Sequence, residues 1–190
     1  MLIDMADREY LRRVLEAPLS YVFGRDVFVS YSRRDAAAYA PALVLRLKDE
    51  SPKLSFYLDQ WSAPPGRRLP RALRRHVRWS RLLVVIITDG ALCSGAVHQE
   101  IALYPTSRRN VVPVLVGEAS TEIPWTEEPW CRIHGVQPEI ETVEALRAAS
   151  PNAHVISRIT QSISFVTQDR RLKRAVWKFM IEDTRAMPFR

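Results

Sequence analysis

The chain has 190 residues, enough for one core of ordinary domain size plus extensions. Hydrophobic residues make up 47% and charged residues 26%, and nowhere does the chain hold the roughly 18 consecutive apolar residues of a membrane span, so no membrane partner is expected. A net charge of +7, carried by 28 basic residues of which only four are lysine, makes arginine the dominant surface cation. Asp4, Asp7, Glu9 and Glu16 break the basic-then-apolar layout of a secretory signal, so cytoplasmic residence is expected. Cys93 and Cys131 are too few for a disulfide framework and are expected to be reduced and structural.

Along the chain, residues 8 to 17 form a short amphipathic helix (Tyr10, Leu11, Val14, Leu15) that stops before Pro18. A compact β run over 26 to 31, centred on Val27, Phe28 and Val29, leads through Ser32-Arg33-Arg34-Asp35 to an apolar helix over about 36 to 48. A second short strand covers 54 to 58. The turn-rich stretch Ser62-Ala63-Pro64-Pro65-Gly66 then opens an arginine-rich helix. The third strand, Leu82 to Thr88, is apolar throughout, the pattern of a central strand buried on both faces. A helix carrying Val97, Glu100, Ile101 and Tyr104 follows. The fourth strand, over 111 to 116, contains Pro113, a residue suited to a strand end or edge. Cys131 to Val136 is the expected fifth strand. A last helix runs over about 152 to 167, with Val155, Ile156, Ile159, Ile163 and Val166 on one face, and an Arg-rich then apolar helix follows over 169 to 183. This alternation predicts an α/β fold, a doubly wound parallel five-stranded sheet with helices on both sides. It also divides the chain into an N-terminal helical extension (1–24), a sheet domain (25–168) and a helical tail or linker (169–190) that offers a further domain or partner protein a docking segment.

Several nucleotide-site patterns are absent. The six glycines, at 24, 66, 90, 95, 117 and 135, build no G-x-G-x-x-G. Gly90 and Gly95 have Walker A spacing, but Ala96 and Val97 stand where the lysine and the hydroxyl belong. Thr88-Asp89 is only a crude match to a receiver-domain phosphorylation site. The four histidines show no metal spacing, and no metal is expected. In the basic helix, most of Arg67, Arg68, Arg71, Arg74, Arg75, Arg78 and Arg81 are expected to line the face opposite Leu69, Ala72, Leu73 and Val77. This is read as a solvated face or one that meets an acidic protein. It is not read as a nucleic-acid site, since Trp79 and His76 are the only rings in the run.

Glu100 follows the central strand, and ligands of parallel α/β sheets bind outside the carboxyl ends of the strands. Position alone leaves two readings for it, a catalytic carboxylate or a solvated helix glutamate.

Asp26-Val27-Phe28-Val29-Ser30-Tyr31-Ser32-Arg33-Arg34-Asp35 resembles the first signature box of Toll/interleukin-1 receptor (TIR) domains. Tyr57-Leu58-Asp59, Trp61 and Pro65-Gly66 resemble the family's second strand and BB loop. Ser80-Arg81 with the strand after it, Val97-His98-Gln99-Glu100-Ile101, and Asn110-Val111-Val112-Pro113-Val114 resemble its third strand, active-glutamate helix and fourth strand. The resemblance spans about 25 to 168, in the family's order and spacing.

That resemblance implies a flavodoxin-like fold. For many bacterial-type members it implies cleavage of the nicotinamide–ribose bond of NAD, which serves as substrate, with no cofactor. Glu100 matches the catalytic position. Tyr31, Ser32 and Arg33, with Asp59 and Trp61 from the BB loop, match positions that line the nucleotide pocket. The resemblance further implies activation by self-association through TIR–TIR contacts and a place in antiphage defence or cell suicide. One departure stands out, since many catalytic members carry a tryptophan where this chain has Ala96. Other members are adaptors without activity, and a nucleoside deoxyribosyltransferase-like enzyme would share the sheet and the glutamate but not the BB loop.

Overall fold

The computed structural model describes residues 26–52, 54–58, 70–105, 110–117 and 123–166. The helices expected over 8–17 and 169–183 lie outside them. The described elements are β1 (Val27–Ser30), α1 (Tyr39–Glu50), β2 (Phe56–Leu58), α2 (Arg71–Trp79), β3 (Leu82–Ile87), α3 (Asp89–Leu92), α4 (Gly95–Leu103), β4 (Val111–Val116), β5 (Glu139–Glu141) and α5 (Val143–Arg147). A further helix, α6, covers 153–166.

All five strands are parallel, in the order β2-β1-β3-β4-β5. The expected doubly wound sheet is therefore present, in the flavodoxin-like order that reverses direction between β1 and β3. Side chains of a strand alternate between faces, and here the alternation divides the core in two. Leu82, Val84 and Ile86 pack with α1 and α6, while Leu83, Val85 and Ile87 pack with α2 and α4. Every side chain of β3 is at most 2% exposed. Burying six such side chains contributes on the order of 10 kcal/mol before chain entropy is counted.

The amino edge of the sheet is fixed by Asp26. Its carboxylate accepts hydrogen bonds from Ser55 N at 3.0 Å and Ser55 Oγ at 2.8 Å, and pairs with Arg81 at 2.6 Å. One side chain thereby ties the starts of β1, β2 and β3 together, a structural use for two residues of the signature boxes.

Pro113 lies in an internal strand, yet it breaks no ladder bond. Asn110 accepts from Leu83 N, so alternation turns residue 113 away from β3, and β5 pairs only with residues 114 to 116. The missing N–H therefore falls where β5 has not begun.

The fifth strand is not where the apolar pattern places it. Cys131 to Val136 contains part of a 3-10 turn, Trp130–Arg132, and then Gly135 at φ 81°, a left-handed conformation that ends an extended run. The strand is Glu139–Glu141, whose pattern is inverted, with both carboxylates buried and Ile140 59% exposed. Both cysteines are free and exposed, so neither fills the structural role expected of it.

The inversion is possible because the acids are satisfied. Glu139 meets Arg158 at 3.1 Å. Glu141, 1% exposed, accepts from Tyr39 Oη at 2.7 Å, from its neighbour Thr142 N at 2.9 Å, and from Asn152 through both the backbone N–H at 3.0 Å and the side-chain amide. It joins α1, the start of α5 and the segment leading into α6. Glu141→Ala removes an acceptor shared by the buried Tyr39 hydroxyl and by part-buried donors of Thr142 and Asn152, and should lower unfolding free energy by about 1 to 3 kcal/mol in urea titration. Burial, and then the bond to and charge of Glu141, raise the phenol of Tyr39 above its ordinary 10.0. A raised folded pKa gives stability that is whole below the unfolded value and is lost as pH climbs beyond it. Stability should thus decline above about pH 10, and less steeply in Tyr39→Phe, as followed by denaturant midpoints across pH.

Candidate active site

The site is built where the chain changes direction. β1 alternates as the central strand does, with Val27 and Val29 facing α1 and α6, and Phe28 facing α2 and α4. Ser30 falls on the Phe28 face by the same period and is fully buried. Opposite it lies α4, capped by Ser94, whose Oγ accepts from Val97 N at 3.4 Å. Val97 and Ile101 point into the core, and Glu100 shares their buried side at 2% exposure. The two polar groups meet there, with Ser30 Oγ donating to Glu100 Oε2 at 2.5 Å.

This contact sets the environment of Glu100. The carboxylate is not on a solvated helix face. It is buried at the carboxyl end of β1, beside the switch point between β1 and β3, where an open α/β sheet leaves its ligand crevice. A hydroxyl donor is aimed at this buried acid, so its polar atoms are not left unsatisfied.

The segment after β1 is held by its own polar groups. Ser32 is buried, its Oγ accepts from Arg34 N at 3.2 Å, and its carbonyl accepts from Ala36 N at 2.9 Å. Asp35 then bridges to the end of β3, accepting from Thr88 Oγ1 at 2.9 Å and from Gly90 N at 2.8 Å. The Thr88 hydroxyl also caps α3 by accepting from Ala91 N. The loops leaving the two strands that flank the switch point are thus fastened to each other.

The structure brings Glu100 and the start of the Ser32–Asp35 turn to the same end of the sheet. It places the half-buried Arg33 in that turn and packs Tyr31 against the core on the α1 and α6 side, the face opposite Ser30. Asp59 and Trp61 lie outside the described residues. Two residues gain importance that the sequence reading gave them no role in. Ser30 was legible in principle, as the one polar side chain on the inward alternation of β1. Asp35 was not, because its partners are 53 and 55 residues away.

Gly90 shows how tight the bridge is. A Cβ there would lie 2.8 Å from Asp35 Cγ, so Gly90→Ala must displace the carboxylate. It should cost about 1 to 3 kcal/mol. In a thermal-denaturation cycle with Asp35→Ala the two costs should fall well short of additive, because one contact underlies both.

The family model described as TIR domain matches residues 27–149, more than half of the chain. No curated protein matches significantly. Among solved structures, the TIR domains of the activated Roq1 resistosome directly recognising the pathogen effector XopQ are similar at 14% identity and a TM-score of 0.44, covering 76% of this chain and 84% of that one. With the signature segments, the parallel sheet and the family match in agreement, the chain belongs to the TIR domain family.

Proposed function

We propose that this TIR domain is an NAD glycohydrolase whose catalytic residue is Glu100. The observation that carries the reading is the buried carboxylate at the switch point, held by a hydroxyl at 2.5 Å. The chemistry suits a single acid. Oxidised NAD carries a positively charged nicotinamide, so the pair of electrons in the breaking N-glycosidic bond returns to a ring nitrogen that needs no proton. An ordinary glycoside requires a second carboxyl group for that purpose. As the bond lengthens, positive charge develops on the ribose C1′ and ring oxygen, and a fixed carboxylate beside the sugar lowers the energy of that state. Water then adds to C1′ and loses a proton, giving nicotinamide and ADP-ribose; attack by the adenine base gives the cyclic product instead.

In this reading Arg33 meets the pyrophosphate through charge-assisted hydrogen bonds, Tyr31 and Ser32 border the nucleotide, and Asp59 and Trp61 close the pocket from the BB loop. NAD is substrate, and no metal or cofactor takes part. We place the reaction in the cytoplasm, as the effector step of antiphage defence or cell suicide, and switched on by self-association.

The surface we assign to association includes α2 and the loop from Trp61 to Gly66. Among the described residues no acidic side chain pairs with Arg71, Arg74 or Arg78, and the guanidinium of Arg75 lies 5.0 Å over the ring of Trp79, which is 42% exposed. Arginines with no acidic partner among the described residues, Arg71, Arg74 and Arg78, on a helix that also exposes an indole suit an acidic protein face. Arg71→Glu with Arg78→Glu should shift self-association to higher protein concentration in light scattering. Unchanged association would remove α2 from the contact.

Ala96 supports a second reading, a non-enzymatic TIR–TIR adaptor, since a methyl one turn before Glu100 supplies no aromatic wall to a nicotinamide or ribose. Concentrated protein incubated with NAD should release nicotinamide by chromatography, and Glu100→Gln should lower the rate at least about 100-fold. Absence of turnover, even when the protein is clustered on a scaffold, would favour the adaptor.

A further inference from the structure

The strand that ends at the crevice carries a donor where its pattern calls for an apolar side chain. β1 reads Val-Phe-Val-Ser, all four residues are buried, and position 30 faces the same layer as Phe28. From the Ser30–Glu100 contact we infer that Ser30 is a positioning residue, which fixes the carboxylate of Glu100 in its working orientation; this rests on the glycohydrolase reading of Glu100.

Three observations support the assignment. A serine hydroxyl has a single proton, and here it is given to Glu100 Oε2 at 2.5 Å. Both partners are buried, at 0% and 2% exposure, so bulk water does not replace the donor when it is lost. The donor also stands on a rigid support. β1 is paired on one side with β2 and on the other with β3, where Ser30 is in register with Val85. A glutamate has three side-chain torsions to restrain, and a partner on a central strand restrains them more closely than one on a loop. Ser30 itself touches no reacting atom in this account. It acts through Glu100.

The test joins spectroscopy with kinetics. In 13C-labelled protein, the carboxyl resonance of Glu100 is assigned by its loss in Glu100→Gln. It should move in Ser30→Ala and return toward the parent position in Ser30→Thr, which restores the hydroxyl. With NAD as substrate, kcat of Ser30→Ala should fall about 10- to 100-fold. KM should stay within about threefold, since the group acts on the transition state more than on binding. Ser30→Thr should recover most of the loss. Should Ser30→Ala fail to fold, as judged by circular dichroism, Ser30→Cys keeps the shape with a much weaker donor and takes its place. An unmoved resonance, or a retained kcat, overturns the assignment. If the parent protein turns over no NAD, the glycohydrolase reading is what fails, and the resonance alone then decides whether Ser30 holds the carboxylate.

Discussion

The constraint from which the rest of this molecule follows is the burial of β3 on both faces. A strand with no solvent-facing side must be covered twice, and the chain meets that need by sending α1 and α6 to one face and α2 and α4 to the other. Parallel strands need crossovers, and each crossover returns the chain to the same edge. Every strand therefore ends at one edge of the sheet. Because β1 and β3 are neighbours while the chain winds outward from them in opposite directions, the switch point of the sheet, the place where open α/β sheets bind ligands, lies between them.

The two edges of the sheet divide the work. At the amino edge, Asp26 draws β1, β2 and β3 together through Ser55 and Arg81, contacts that hold the fold and touch no crevice. At the carboxyl edge, polar groups fasten loops and orient a buried acid. Asp35 ties the turn after β1 to the start of α3, Glu141 ties α1 to the start of α5 and the approach to α6, and Ser30 meets Glu100 between them. Buried polar groups of this kind cost free energy unless each is satisfied, and at this edge each has its partner.

Buried acids in this protein are not all alike. Glu141 receives its donors from three directions and is used up by structure, while Glu139 is paired with Arg158 across to α6. Glu100 differs in its place, at the switch point between β1 and β3. Burial alone would have marked all three. Location relative to the strand order is what separates a candidate for chemistry from a keystone.

The sequence by itself determined the order and type of most elements, because runs such as Leu82–Ile87 and Val111–Val116 carry their burial in their composition, and the ordered signature segments pointed to the family. It also pointed to Glu100, from its position after the central strand. It misplaced the fifth strand, since Glu-Ile-Glu buries its acids and exposes its apolar residue, and only the partners on α1 and α6 make that arrangement tolerable. The burial of Glu100, its donor Ser30 and the Asp35 bridge were settled by tertiary structure alone. Those contacts join residues 53 to 70 positions apart, and no local pattern records which side chain a strand end will meet once the helices have packed.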